Sequence, residues 1–484
     1  MDPILALDLT LAQPGSRAIL KSLHGALREA VVTGRLAAGQ RLPSSRDLAR
    51  LLNVSRNTVV AAYDLLASEG YLRAAGRAGT RVTGEPQQRR AKGPGAAIAP
   101  WVRPLRFAAS DTLSNPAPAH GPAPAFRFDT GVPALDLFPF DVYRRLSART
   151  LQALARQPAD YGDPQGSPRL RRAIASHVSA SRAVACTPDD VLVTAGAQQA
   201  FDLLARVLVR PGQTMVAVED PGYPPLRAAM AVAGARLAAV PVDAEGLRVD
   251  RLPRTCRIIC VTPSHQFPLG MAMSAARRRT LLELARQRDA VVVEDDYDAE
   301  FRYAGRPLDA LQTLDEHGRV FYVGTFSKTM LPGLRLGFIV APAWARAALL
   351  QTKQVADFGC NRLTQDTVAA FIDGGHLLRH LRRMTRLYAE RRETLIDAIG
   401  AALGPAAQVV PAAAGLHLGL LLPQVQDIDA VVQRARAAGV AAEALSRYAA
   451  KRDGPVGLAL GFGAIDAQRI GEGIRRLGLA LRGR

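Results

Sequence analysis

Cysteine is scarce in this chain. The four present, Cys186, Cys256, Cys260 and Cys360, form no Cys-x-x-Cys pair and are too few for a disulfide framework, which excludes a small stapled secreted fold. Ordinary buried thiols in a reducing cytoplasm are expected instead. Long apolar runs are also lacking: the opening MDPILALDLTLAQPGSR has no basic start and is interrupted by Asp8, and stretches such as residues 228–240 are too short to span a bilayer. Neither export nor membrane insertion is expected. Metal-ligand spacing is missing too. His265 and His417 fall in motif-rich stretches, but a lone histidine is more often a satisfied core residue, so neither receives a role and no metal is expected. Acidic residues are outnumbered, 43 against 62 Lys and Arg, and the formal charge of +19 favours polyanionic partners, whether nucleic acid or an acidic lipid surface.

What is there is a folded protein of more than one domain. With 48% hydrophobic and 22% charged residues, wholesale disorder, a coiled coil and a collagen-like fibre are excluded, and 484 residues exceed one ordinary core. Residues 85–125 are crowded with Pro, Ala and Gly and lack periodicity, as in a semi-extended linker. They separate a short basic unit, residues 14–84, from residues 126–484, where apolar strands alternate with amphipathic helices. That alternation predicts an α/β domain with a mainly parallel sheet. Its large subdomain is expected at about residues 160–340, and a smaller C-terminal α+β subdomain at about 375–484.

In the short unit, Ile19, Leu20, Leu23, Leu27 and Val31 recur at helical spacing from Ser16 to Val32, and Gly34 follows as a stop. Ser44 with Asp47 opens a second helix, Asn53-Val54 makes a turn, and Ser55 caps a third helix that buries Val59, Ala62, Tyr63 and Leu66 before Gly70. Two helices across a tight turn predict helix-turn-helix geometry. Ser55, Arg56, Asn57 and Thr58 then stand at the start of the third helix, where such polar groups meet phosphates and base edges in a major groove. Tyr71-Leu72 and Arg81-Val82 are expected to pair around a glycine-rich wing. The string GRLAAGQRLPSSRDLARLLNVSRNTVVAAYDLLASEGYLRAAGRAGTRV resembles the GntR-type winged helix over its whole length. The resemblance implies DNA contacts from Arg46, Ser55, Arg56, Asn57, Thr58, Gly76 and Arg77.

In the long unit, Ala290-Val291-Val292-Val293 reads as a strand buried on both faces that runs into Glu294-Asp295-Asp296-Tyr297-Asp298. Ligands of open α/β sheets bind beyond the carboxyl ends of strands, so these acids sit where a cofactor would. A second strand, Val320 to Val323, leads into TFSKTMLPGLRLG. Its Lys328, the hydroxyls of Thr325 and Ser327, and Arg335 suit a phosphorylated aldehyde, with an amine for the carbonyl and a planar fork for the phosphate. Pyridoxal 5′-phosphate (PLP) meets that demand. Asp295 would face its ring nitrogen and Tyr297 its ring oxygen.

TAGAQQA, EDPGYP, TPSHQFP, EDDYDAEFRY and TFSKTMLPGLRLGF together are similar to a fold-type I aminotransferase domain, and with the winged helix the chain resembles the MocR (GabR-like) regulators from about residue 15 onward. The resemblance implies Lys328 as the lysine that bonds PLP, Asp295 at the pyridine nitrogen, Tyr297 at the ring oxygen and Arg335 at the phosphate. It also implies ring stacking by Tyr223, phosphate contacts at Ala197 and Gln198, and Tyr161 reaching the phosphate of a partner subunit in a head-to-tail homodimer. The expected protein is a regulator rather than an enzyme, binding operator DNA and sensing PLP or a small amine or amino acid. An active aminotransferase with a DNA-binding appendage is the alternative, and PLP itself as the effector is a third reading. Two departures matter. Aminotransferases of this type hold the substrate carboxylate with an arginine on a C-terminal strand, yet Pro455 to Phe462 contains none and only Lys451 and Arg452 lie nearby. Leu269 stands where the family commonly has threonine.

Overall fold

The computed structural model of the chain describes residues 18–74, 79–83, 124–158, 160–303, 309–450 and 454–483. They fall into two compact units, one from the N-terminal region and one from residue 124 onward. The expected linker, and the wing residues Gly76 and Arg77, lie outside the described residues. So do Lys451 and Arg452.

Among the described residues, the small unit is three helices and a hairpin. Helix α1 (Ala18–Val32), α2 (Ser45–Leu51) and α3 (Arg56–Ser68) bury Leu23, Leu27, Val31, Leu48, Val59, Ala62 and Leu66, the apolar positions set by helical spacing. The turn between α2 and α3 passes through Asn53 at φ 51°, a left-handed conformation that asparagine tolerates better than most residues. Strand β1 (Leu72–Ala74) pairs antiparallel with β2 (Thr80–Val82), placing Leu72 opposite Val82 over the helices. Tyr71, expected in the hairpin, stands just before β1.

The large unit pairs β3 (Phe126–Arg127) with β14 (Val440–Ala441) and is centred on eight strands. In chain order these are β4 (Val191–Thr194), β5 (Met215–Asp220), β6 (Arg236–Asp243), β7 (Gly246–Leu247), β8 (Cys256–Val261), β9 (Val291–Asp296), β10 (Val320–Thr325) and β11 (Gly337–Val340). Their spatial order is β4, β11, β10, β9, β8, β5, β6, β7, with β10, β9, β8, β5 and β6 mutually parallel and β11 antiparallel to both neighbours. Burial on both faces explains why β9 and β10 read as unbroken apolar runs. A second, antiparallel sheet has the order β12 (Gln408–Val409), β13 (His417–Leu421), β16 (Gly457–Gly461), β15 (Glu443–Ala444), flanked by the helices His376–Leu403 and Ala467–Leu481. This is the α+β portion expected at the C-terminal end. Cys256 and Cys260 are buried and Cys186 and Cys360 half-buried, and all four are free thiols. No helix among the described residues is long and apolar enough to cross a membrane.

Candidate cofactor site and nucleic-acid interface

Strand β9 runs three residues further than expected and takes the first acids with it, and its two-residue period separates them. Glu294 and Asp296 point to one face. The carboxylate of Glu294 accepts hydrogen bonds from the backbone N–H of Leu311 (2.7 Å) and Gln312 (2.9 Å), and Asp296 accepts from Arg182 Nε (2.7 Å) and the Tyr322 hydroxyl (2.8 Å). Those two acids anchor the fold. Asp295 points to the other face, is buried, and its Oδ1 has no hydrogen-bond partner. Burial pushes its carboxyl well above the usual range, with the charges of Asp296, Asp298 and Glu219 adding to the rise and Lys328 opposing it. A buried carboxylate oxygen with nothing to bond marks a place for a cationic or N–H partner.

Lys328 follows β10 and is half-buried. Burial and the Arg335 charge lower its pKa, while Asp298 and Asp295 work against that shift. A Cβ added to Gly131 would stand 2.9 Å from Lys328 Nζ, so the backbone there leaves room for the amine. Thr325 donates to Ser327 Oγ (3.0 Å) and accepts from the Ser327 N–H (3.1 Å), fixing the turn that carries the lysine. Arg335, at φ 47°, donates from Nη2 to the Ala195 carbonyl (3.1 Å). A Cβ on Gly196 would lie 3.0 Å from that same nitrogen. The guanidinium therefore sits at the start of the helix Ala197–Leu208, whose first turn offers the unpaired N–H groups of Ala197 and Gln198. A helix N-terminus beside an arginine is a ready phosphate site.

Tyr223 stands edge-on to Phe267, with ring centroids 5.2 Å apart at 79°. Burial pushes its hydroxyl up to about 12, with Asp295 adding to the rise and Arg335 opposing it, so both charges are within reach of the ring's hydroxyl. The residues present thus fit PLP: an amine, an unpartnered carboxylate, a phosphate corner and a flat ring lie within electrostatic reach of one another. Tyr161 is elsewhere, 87% exposed, with its ring 5.8 Å from that of Phe358. The expected C-terminal strand is β16, fully buried and without arginine. Leu269 is a core residue whose carbonyl accepts from the Gly419 N–H (3.1 Å).

Three residues escaped the sequence reading. His265, Asp298 and His417, given no role or only a place in the acid run, offer ligand atoms within 4.8 Å of one another, all buried. They come from separate elements, so no spacing in the chain could announce them. Tyr297, expected to face the cofactor's ring oxygen, donates its hydroxyl proton to the His265 carbonyl (3.0 Å) and lies 3.0 Å from His265 Nδ1. Glu219 was also overlooked. Its Oε2 accepts from the Thr262 hydroxyl (2.6 Å), and burial raises its pKa to about 7.

On the small unit, Ser55 caps α3 by accepting from the Thr58 N–H (3.1 Å), which leaves Arg56 and Asn57 exposed in the first turn. Arg56 Nε reaches Ser45 Oγ at 3.4 Å, and Arg46 on α2 is exposed nearby in sequence. Arg81 donates to the Gly39 carbonyl (2.8 Å), tying the hairpin to the loop before α2.

Residues 21–82 match the family described as bacterial regulatory proteins, gntR family, and residues 127–452 match aminotransferase class I and II. A probable rhizopine catabolism regulatory protein, MocR, from Rhizobium meliloti is 36% identical over 94% of this chain and 92% of its own length. The chain belongs to the MocR-type transcriptional regulators. Another relative, the pyridoxine biosynthesis regulator PdxR of Corynebacterium glutamicum, is 34% identical over 92% of both chains. The aminotransferase part of this MocR-type regulator is similar to the solved α-aminoadipate aminotransferase LysN of Thermus thermophilus, complexed with N-(5'-phosphopyridoxyl)-L-leucine. That likeness has a TM-score of 0.69 and 31% identity, over 74% of this chain and 92% of the other. The aminotransferase fold therefore sits inside a regulator of matching full length.

Proposed function

We propose that this MocR-type regulator binds PLP through Lys328 and operator DNA through α3, and that the state of the PLP site governs operator binding. The observation that carries the reading is the buried, unpartnered Oδ1 of Asp295, close enough to the Lys328 amine for each to shift the other's pKa. PLP, when bound, supplies an aldehyde to the amine and a ring that withdraws electrons. Lys328 contributes an amine whose lowered pKa enlarges the neutral, nucleophilic fraction. Asp295 returns to its charged form when a ring N–H meets Oδ1, which holds that proton in place. Arg335 and the first turn of Ala197–Leu208 bind and orient the phosphate, and Tyr223 covers the ring.

Exposed Arg46, Ser55, Arg56 and Asn57 and half-buried Thr58, together with Gly76 and Arg77, form the DNA-contacting set, in keeping with the +19 charge. The protein works as a cytoplasmic head-to-tail homodimer in which Tyr161, highly exposed here, meets the partner's phosphate. Because β16 carries no arginine to clamp an amino-acid carboxylate, the reading favours PLP or a small amine as the effector over an amino acid, and regulation over turnover. Operator binding by full-length protein, with no addition, with PLP, and with PLP plus each of a panel of amino acids, tests it. A shift in operator affinity on adding PLP alone is expected, and affinity indifferent to every addition would overturn the reading.

A further inference from the structure

The buried residues around Tyr297 form an interlock that the cofactor chemistry above does not use. His265 Nδ1 lies 2.9 Å and 3.2 Å from the two carboxylate oxygens of Asp298 and 3.0 Å from the Tyr297 hydroxyl. Asp298 Oδ2 also accepts the Leu416 N–H at 3.0 Å, so its carboxylate is pinned from two sides. The His265 ring is held by glycines. A Cβ on Gly415, at φ 84°, would come within 2.0 Å of its Cε1 and Nδ1, and one on Gly270, at φ 97°, within 3.2 Å of its Nε2. At Gly415 no other residue fits without moving the imidazole, and at Gly270 a side chain would first meet Ala412 Cβ at 2.9 Å. His417 closes the far side, with its ring centroid 4.5 Å from that of His265, and its plane lies 17° from that of Tyr297. Burial, His265 and Lys328 keep His417 neutral.

A carboxylate takes a shared N–H in preference to a phenol oxygen, since charge-assisted hydrogen bonds are the stronger. His265 Nδ1–H therefore bonds chiefly to Asp298 and, at 3.0 Å, also reaches the Tyr297 oxygen, while the Tyr297 hydroxyl keeps its own proton, which rests on the His265 carbonyl (3.0 Å) and turns to an anionic ring oxygen when one is present. The charged groups facing Tyr297 are Asp298, Asp295, Glu219 and Asp296, all acids, and they oppose its ionisation alongside burial. The phenol is thus a fixed donor on a fixed mount.

We propose that Asp298, acting through His265, is a positioning residue for the Tyr297 hydroxyl and holds it as a proton donor for the ring oxygen of PLP. The proposal rests on the PLP reading above. A proton donated to that oxygen stabilises it as an anion and lowers the pH at which the Lys328–PLP linkage loses its own proton. Losing the donor raises that pH. Simply deleting the Asp298 charge has the opposite sign, because a nearby anion stabilises a protonated linkage. The sign of the shift therefore separates positioning from plain electrostatics.

The test is a pH titration of the visible band of PLP-loaded, full-length protein in Tyr297→Phe, Asp298→Asn and the double variant. Both single changes are expected to raise the midpoint, Asp298→Asn by less, and the double variant to fall at or somewhat below Tyr297→Phe alone, because without the phenol only the lost Asp298 charge still acts, the non-additivity of residues acting in series. A lowered midpoint in Asp298→Asn, additive shifts, or an unmoved midpoint with only a lower Tm would overturn the proposal. A second readout needs no cofactor: in PLP-free protein the His265 Nδ1–H resonance should be protected from exchange, move in Tyr297→Phe and move further in Asp298→Asn, where a neutral amide oxygen replaces the carboxylate. If wild-type protein takes up no PLP, the cofactor reading fails. If that resonance ignores both substitutions, the interlock itself fails.

Discussion

The first turn of α3 presents Arg56 and Asn57 to solvent, whereas the large unit buries Asp295, Glu219 and His417 in its interior. The two surfaces do different physical work. An exposed cation meets DNA phosphates by displacing counterions, so its contribution is modest, nearly additive with its neighbours and dependent on salt. A buried carboxylate or amine has already lost its water, so its ionisation is set by a few neighbours and its removal acts on all of them at once. Damage to the first surface should therefore be graded, and damage to the second close to all-or-none.

Lys328→Ala is the largest test of that contrast. The visible absorbance given by PLP should disappear entirely while the thermal transition of the large unit stays within a few degrees of wild type, because the half-buried amine packs against Gly131 rather than holding up the core. A band that persists and is still fixed by borohydride would assign the covalent role elsewhere.

A second buried group sharpens the comparison through pH. Glu219 ordinarily titrates near 4.5 but is raised to about 7 by burial, which outweighs the bonds from Thr262 and Gln266. Between those values the folded unit keeps a proton that the unfolded chain has lost, so this residue makes stability fall as pH rises from about 4.5 to 7, at roughly 1.4 kcal/mol per unit at most. Glu219→Gln keeps an acceptor for the Thr262 hydroxyl and has no such slope. Its Tm advantage over wild type should grow from pH 5 to pH 8, and a constant difference would mean that Glu219 is ionised throughout.

These particular residues also mark how far the chain could be read in advance. Capping, helical spacing and the turn at Asn53 are local signals, and α2, α3 and the β1–β2 pairing follow from them almost residue for residue. The strand-then-acid pattern was equally plain, yet it could not say which acid was available. That depended on β9 continuing through Asp296, so that pleating sent Glu294 and Asp296 to one face and Asp295 to the other. The His265, Asp298 and His417 cluster was illegible for a different reason. Its members meet only after β13 packs beneath the loop that follows β8, and each alone looks like an ordinary core polar residue.

On the exposed side, Arg56→Ala should weaken operator binding by about 1 kcal/mol, roughly fivefold, and reduce the steepness of the salt dependence by about 1. A loss beyond a hundredfold would place Arg56 among the buried, cooperative residues and break the distinction drawn above.

The smallest effect separates structure from contact at a single residue. Ser55 is the cap of α3, accepting from the Thr58 N–H at 3.1 Å, and is also a member of the proposed DNA-contacting set. Ser55→Ala removes the cap, and the small unit should lose about 1 kcal/mol of stability, with a fall in Tm of about 4–8 °C for a domain of its size. Ser55→Asp restores a good cap and with it the Tm, but sets a negative charge against the phosphates. If the aspartate variant regains stability yet binds operator more weakly than the alanine variant, Ser55 meets DNA directly. If the two variants bind alike once both are folded, the serine serves only to start the helix, and recognition passes to Arg56 and Asn57.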